Sequence, residues 1–166
     1  MPVVSDTSPL LNLAIIGWLA LLREQFGEIR ISPAVLEELR IGEDLPGSQA
    51  VREAIKVGWL RVEEVKGRPF VQVLQRDLDK GEAEAIALAL EVNAEWILLD
   101  EREGRRVAKS LGLRVTGVVG ILLRAWREGK LPSLKGAIEE LREKAGFHIG
   151  AELVADILRE SQERHE

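Results

Sequence analysis

Cysteine is absent from the 166 residues, and histidine appears only at His148 and His165. The chain therefore has no disulfide, no thiolate zinc site and no cysteine nucleophile, and two late histidines offer little to an imidazole-based metal site. Tyrosine is missing too, and the four tryptophans, Trp18, Trp59, Trp96 and Trp126, stand outside any basic cluster. That assigns them to core or interface rather than to base stacking. No long hydrophobic run exists: the most apolar stretch, Leu10–Leu22, covers 13 residues and contains Asn12 and Gly17. A membrane helix needs roughly 20 such residues, so no membrane association is expected. Positive charge is lacking in Met1–Asp6, so no secretory signal is expected and a soluble, cytoplasmic protein is.

What is present suits one globular domain with a small appendage: 46% of residues are apolar and 31% charged, enough to build a core without disulfides or structural metal. The net charge of −5 argues against a protein whose whole surface coats duplex nucleic acid. It leaves open chemistry on nucleic acid in which carboxylates are gathered in one place.

Short apolar runs alternate with helical patterns. Pro2–Ser5 reads as a strand that stops at Asp6, and Ser8-Pro9 opens a helix, serine as cap and proline in the first turn. The device recurs at Ser32-Pro33 after a strand at Glu28–Ile31, giving a helix to Arg40. The segment 41–48 is a loop rich in Gly, Pro and acid. Helices follow at Gln49–Val57, Phe70–Leu78, Gly81–Glu91, Glu101–Leu111, Val118–Glu128, Leu134–Lys144 and Ala151–Gln162, with strands at Leu60–Val65, Trp96–Leu99 and Leu113–Val115. Strands alternating with helices imply a parallel sheet covered on both faces.

In open parallel sheets the functional crevice lies beyond the carboxyl ends of the strands. Asp6 and Asp100 are each the first charged residue after a buried strand, where they either cap the next helix or face that crevice. At roughly 100° per residue, Glu82 falls within the apolar stripe of its helix while Glu84 points to solvent, which favours Glu82 for a cleft. On the helix from Pro33, Glu38 sits at the edge of the stripe and Glu37 opposite it. Asp6, Glu38, Glu82 and Asp100 can thus converge. Clustered carboxylates repel one another and call for a counter-cation. Oxygen donors select a hard ion, Mg²⁺ or Mn²⁺, and such a site can activate water and neutralise charge on a phosphate, as in metal-assisted phosphodiester hydrolysis. Thr7, Ser8 and Asn12 share the corner, as helix caps or as partners that orient Asp6 or a metal-held water. Arg102, Arg105, Arg106 and Lys109 form a positive stripe beside Asp100, either a solvated face or a phosphate-positioning surface.

The ordered set Val3-Val4-Ser5-Asp6-Thr7-Ser8-Pro9, Ser32–Leu39, Gly81–Ala89 and Ile97–Arg102 resembles the PIN-domain family, metal-dependent ribonucleases that include VapC-type toxins. The segment Gly117–Leu123 with two trailing helices resembles a related branch of it. The resemblance implies a three-layer α/β/α sandwich with a mostly parallel central sheet and two extra C-terminal helices, divided into a PIN-like nuclease domain at 1–130 and a helical extension at 131–166 packed on it. It also implies Mg²⁺ or Mn²⁺ held by Asp6, Glu38 and Glu82, with Asp100, Glu101 or Glu103 as fourth ligand. Relatives often end the strand before Asp100 with Thr or Ser and place an acid shortly after, which is where this chain departs. The further expectations are an RNA substrate, a protein antitoxin occupying the acidic cleft, and a homodimer. The alternative function is a weakly catalytic PIN-fold module that binds RNA or a partner protein without cleavage. An aspartyl phosphatase would want a second Asp where Ser8 stands, a receiver domain a Lys near Val115-Thr116, and no glycine-rich phosphate loop follows the first strand.

Overall fold

The computed structural model describes residues 1–150 together with Ala155 and Arg159. The helix expected at Ala151–Gln162 lies outside the described residues but for those two positions, both helical. Among the described residues the elements run β1 (Val3–Ser5), α1 (Thr7–Ile15), α2 (Ala20–Phe26), β2 (Ile29–Ile31), α3 (Pro33–Leu39), α4 (Ser48–Val57), β3 (Leu60–Val62), α5 (Arg68–Leu74) and α6 (Lys80–Glu91). β4 (Trp96–Leu98), α7 (Arg102–Ser110), β5 (Val115–Thr116), α8 (Val118–Arg127) and α9 (Leu134–Lys144) follow. No helix among them is long and apolar enough to cross a membrane.

The five strands form one parallel sheet in the order β3-β2-β1-β4-β5. The chain moves outward from β1 to β3, then returns to the other side of β1 for β4. The order therefore reverses between β1 and β4, which is where open α/β sheets leave a crevice at the carboxyl ends of their strands. Side chains alternate across the pleat. Val3, Ile29, Ile31, Leu60 and Leu98 enter one core with α1–α4, α8 and α9, whereas Val4, Ile97 and Leu99 enter a second with α5, α6 and α7. The result is the three-layer α/β/α sandwich that the alternating pattern implies. α9 joins the first core through Leu134, Ala137, Ile138 and Leu141. Trp126 is buried there, and Trp18, Trp59 and Trp96 pack half-buried against it.

Three local readings need correction. The helical pattern opened near Ser8 divides into α1 and α2 around Gly17, whose φ of +81° takes the chain out of the helix. α1 begins at Thr7 with Asp6 in the capping position, so Ser8 is inside the helix rather than at its cap. Ser32 does cap α3, accepting from the Val35 N–H at 3.2 Å. Glu84 is not a solvent glutamate: every residue from Gly81 to Ala89 is buried, so α6 has no solvent face along that stretch. Its carboxylate accepts from the Ala34 N–H at 3.0 Å and from Arg68 at 2.8 Å, tying α6 to the first turns of α3 and α5.

Candidate metal centre at the carboxyl end of the sheet

Asp6 directly follows β1, its backbone N–H donating to the Leu98 carbonyl at 2.9 Å. Its side chain makes no helix-capping hydrogen bond; it continues the β1 alternation onto the face of Val4 and meets α6. Glu82 approaches from the first turn of α6. Both carboxylates are buried, Asp6 at 6% exposure and Glu82 at 7%, yet Asp6 Oδ1 and Glu82 Oε2 have no hydrogen-bond partner. Buried polar atoms are nearly always paired, so two orphaned carboxylate oxygens in one corner ask for a cation.

The two lie on a cleft of about 270 Å³ lined also by Thr7, Ser8, Asn12, Glu38, Asp79 and Glu101. Thr7 does not cap α1; its hydroxyl donates to Glu38 Oε2 at 2.5 Å, holding the exposed α3 glutamate over the cleft. Asp79 lines the cleft without standing out by strand-end position or helical stripe. It caps α6, accepting from the Glu82 N–H at 2.8 Å, and Asp79-x-x-Glu82 is a capping-box pattern that could have revealed it.

Asp100 is placed differently. Ser5 pairs with Leu98, so Asp100 falls one residue beyond the position opposite Asp6 and points to the other face of the sheet. There Asp100 Oδ1 accepts from the Val118 N–H at 2.9 Å and Oδ2 from the Ser8 hydroxyl at 3.3 Å. Asp100 therefore caps α8 rather than its own following helix, and it does not line the cleft. Asn12 donates to Ser8 at 3.0 Å, so it orients Ser8 and through it Asp100, not Asp6 as the sequence suggested. Glu101, at the cap of α7, does line the cleft, while Glu103 is paired with Arg106. Arg105 donates to the Leu99 carbonyl at 2.9 Å, and Arg102 and Lys109 are exposed. The positive stripe is thus split, with two of its four members engaged by the protein itself.

Three glycines make room for three of these acids. A Cβ on Gly81 would stand 2.3 Å from Glu38 Oε1, one on Gly104 2.7 Å from Glu82 Oε2, and one on Gly117 2.3 Å from Asp100 Oδ1. The electrostatics follow from this crowding. Burial, then the nearby Glu38, Asp79 and Asp100 charges, push the Asp6 carboxyl up to about 7 against the Thr7 N–H that favours its ionised form. Burial, with the Asp79 hydrogen bond and charge, pushes Glu82 up to about 8. Burial also raises Asp100, opposed by Val118, Ser8 and Arg105. Glu84 runs the other way: burial disfavours its charge, but Arg68, Ala34 and Ser32 outweigh it and hold the carboxyl below its ordinary value.

An all-oxygen donor set with unpartnered buried carboxylates fits a hard divalent cation. Among the described residues, no group of three or more Asp, Glu, His or Cys is gathered closely enough to chelate one, so binding requires the side chains to close on the ion.

Comparison with known proteins bears on the whole arrangement. A family model described as "DUF3368: PIN domain" matches residues 2–163. Among solved structures, the chain is similar in fold to a PilT N-terminus domain protein from the hyperthermophilic archaeon Sulfolobus solfataricus P2, with a TM-score of 0.52 and 20% identity over 75% of this chain and 93% of that one. No curated protein matches the chain.

Proposed function

Because this chain belongs to the PIN-domain family, we propose that it is a ribonuclease dependent on Mg²⁺ or Mn²⁺ that hydrolyses RNA phosphodiester bonds. One observation carries the reading: the orphaned oxygens of buried Asp6 and Glu82 at the point where the strand order reverses. When bound, a divalent cation supplies positive charge against the phosphodiester and renders a water more acidic. Asp6 and Glu82 hold that cation, and Glu38, fixed by Thr7, closes on it from α3. Glu101 occupies the rim and takes the fourth position that the sequence left open among Asp100, Glu101 and Glu103. Asp100 is then a positioning residue that joins Ser8 of α1 to the start of α8. Exposed Arg102 and Lys109 meet the RNA backbone, where phosphate contacts fix register rather than sequence.

The reading extends to a toxin of a toxin–antitoxin pair, cytoplasmic and homodimeric, whose antitoxin covers the acidic cleft. Light scattering checks the dimer: a mass of twice the 18.5 kDa chain is expected. Catalysis is tested by incubating a mixed RNA pool with wild type and Asp6→Asn in Mn²⁺, with and without EDTA. Cleavage lost in the variant and in EDTA supports the reading. Activity equal in all arms overturns it. Mn²⁺ binding without any cleavage points instead to a PIN-fold module that binds without cutting.

A further inference from the structure

A second cavity, of about 410 Å³, opens at the carboxyl ends of β4 and β5, within the roughly 300–1,000 Å³ usual for small-molecule sites. It shares a wall with the acidic cleft: Ser8 lines the cleft, Asp100 lines the cavity, and the two are hydrogen-bonded. We propose that this cavity is a base-binding subsite, taking one nucleobase splayed out of single-stranded RNA whose phosphate lies over Asp6 and Glu82. The proposal depends on the ribonuclease reading for its substrate class and goes beyond it in naming how the strand is held.

The lining carries the chemistry. The lining includes the flat side chains of Arg105 and Phe147, the latter also packed on the first core, the apolar Val119 and Ile149, and the hydrogen-bonding side chains of Thr116 and His148, the residue types that stack on a base and pair with its edge. Sequence-specific RNA recognition uses this combination on unstacked bases. A phosphate is the poorer match. The Asp100 carboxylate opposes the Arg105 guanidinium within the same lining, and Arg105 already spends one N–H on the Leu99 carbonyl. Gly117 lies so close to Asp100 and Arg105 that a Cβ there would collide with both.

The test uses the whole chain in EDTA, so that no cleavage intervenes. The four nucleoside 5′-monophosphates are titrated while backbone and side-chain resonances are followed. At least one is expected to shift Thr116, Val119 and Phe147. Val119→Trp, which fills the cavity from α8, is expected to weaken that binding about tenfold, near the lower range for one stacked base. His148→Ala, at an exposed loop position, gives a second arm that leaves the core untouched and is expected to weaken binding in the same direction. Shifts confined to Asp6, Glu38, Glu82 and Glu101, no shifts, or affinity unchanged in both variants overturn the proposal. Failure of the two readings is separable. Nucleotide binding that Val119→Trp abolishes, in a protein that cuts no RNA, keeps the subsite and discards the ribonuclease. RNA cleavage whose base preference Val119→Trp leaves intact does the reverse.

Discussion

Asp6 and Glu82 hold ionisable groups where burial disfavours charge and the few backbone donors nearby do not offset it, each leaving one carboxylate oxygen without a partner. An amide at Asp6 removes that conflict. At pH 8, Asp6→Asn is expected to stabilise the metal-free protein by on the order of 1 kcal/mol, raising its melting temperature by about 2–4 °C, while abolishing both the Mn²⁺-induced rise and RNA cleavage. Calorimetry with and without Mn²⁺ reads all but the last; a destabilised variant with an intact Mn²⁺ response contradicts the assignment. Glu103→Gln is the contrast. That carboxylate is exposed and paired with Arg106, so its loss is expected to leave both the melting temperature and the Mn²⁺ response unchanged, as is usual for surface substitutions. Charge type and position made Asp6, Glu38 and Glu82 legible in the sequence. Asp79 is not, because the apolar pattern of α6 begins at Gly81 and leaves the cap residue in the preceding loop.

At the scale of elements, most of the helices and strands followed from periodicity, and the errors trace to what periodicity omits. A 3.6-residue stripe presumes a solvent face, and α6 has none between Gly81 and Ala89, so the pattern points Glu84 to water although it bridges two helix starts. Glu84→Ala leaves the Ala34 N–H without its acceptor and is expected to cost about 2 kcal/mol, measured by urea unfolding; a neutral result sinks the structural role. Asp100 and Asp6 look alike in sequence because each follows a strand, but the face of Asp100 depends on the register between β1 and β4, which only pairing reveals. The glycine at 81 gives a sharper test of α6. Its missing Cβ lets Glu38 lie against the helix, and Glu38 is exposed enough to swing away. Gly81→Ala is therefore expected to keep stability within about 0.5 kcal/mol while weakening Mn²⁺ binding about tenfold, read by titration calorimetry. Unchanged affinity removes Glu38 from the ion's surroundings.

For the whole molecule, the parallel sandwich was legible from strand–helix alternation alone, whereas the order β3-β2-β1-β4-β5 was not, since a strand's neighbours leave no periodic mark. That order brings residues 6 and 82 to one crevice. Its electrostatic consequence is global. Folding raises Asp6 from 3.8 to about 7 and Glu82 from 4.5 to about 8, so the folded state holds protons that the unfolded chain releases. The stability these groups contribute is complete below about pH 4 and lost as pH rises through 7 and 8. The metal-free melting temperature is accordingly expected to fall by roughly 5 °C over that range. Cations compete with those protons, so Mn²⁺ affinity is expected to climb with pH up to about 8 and then level. A flat profile in both titrations dissociates these carboxyls from the site. The most direct measurement is anomalous diffraction from crystals grown in Mn²⁺. The expected result is a peak about 2.1 Å from oxygens of both Asp6 and Glu82; a peak elsewhere, with that crevice holding none, contradicts the metal centre and the chemistry built on it.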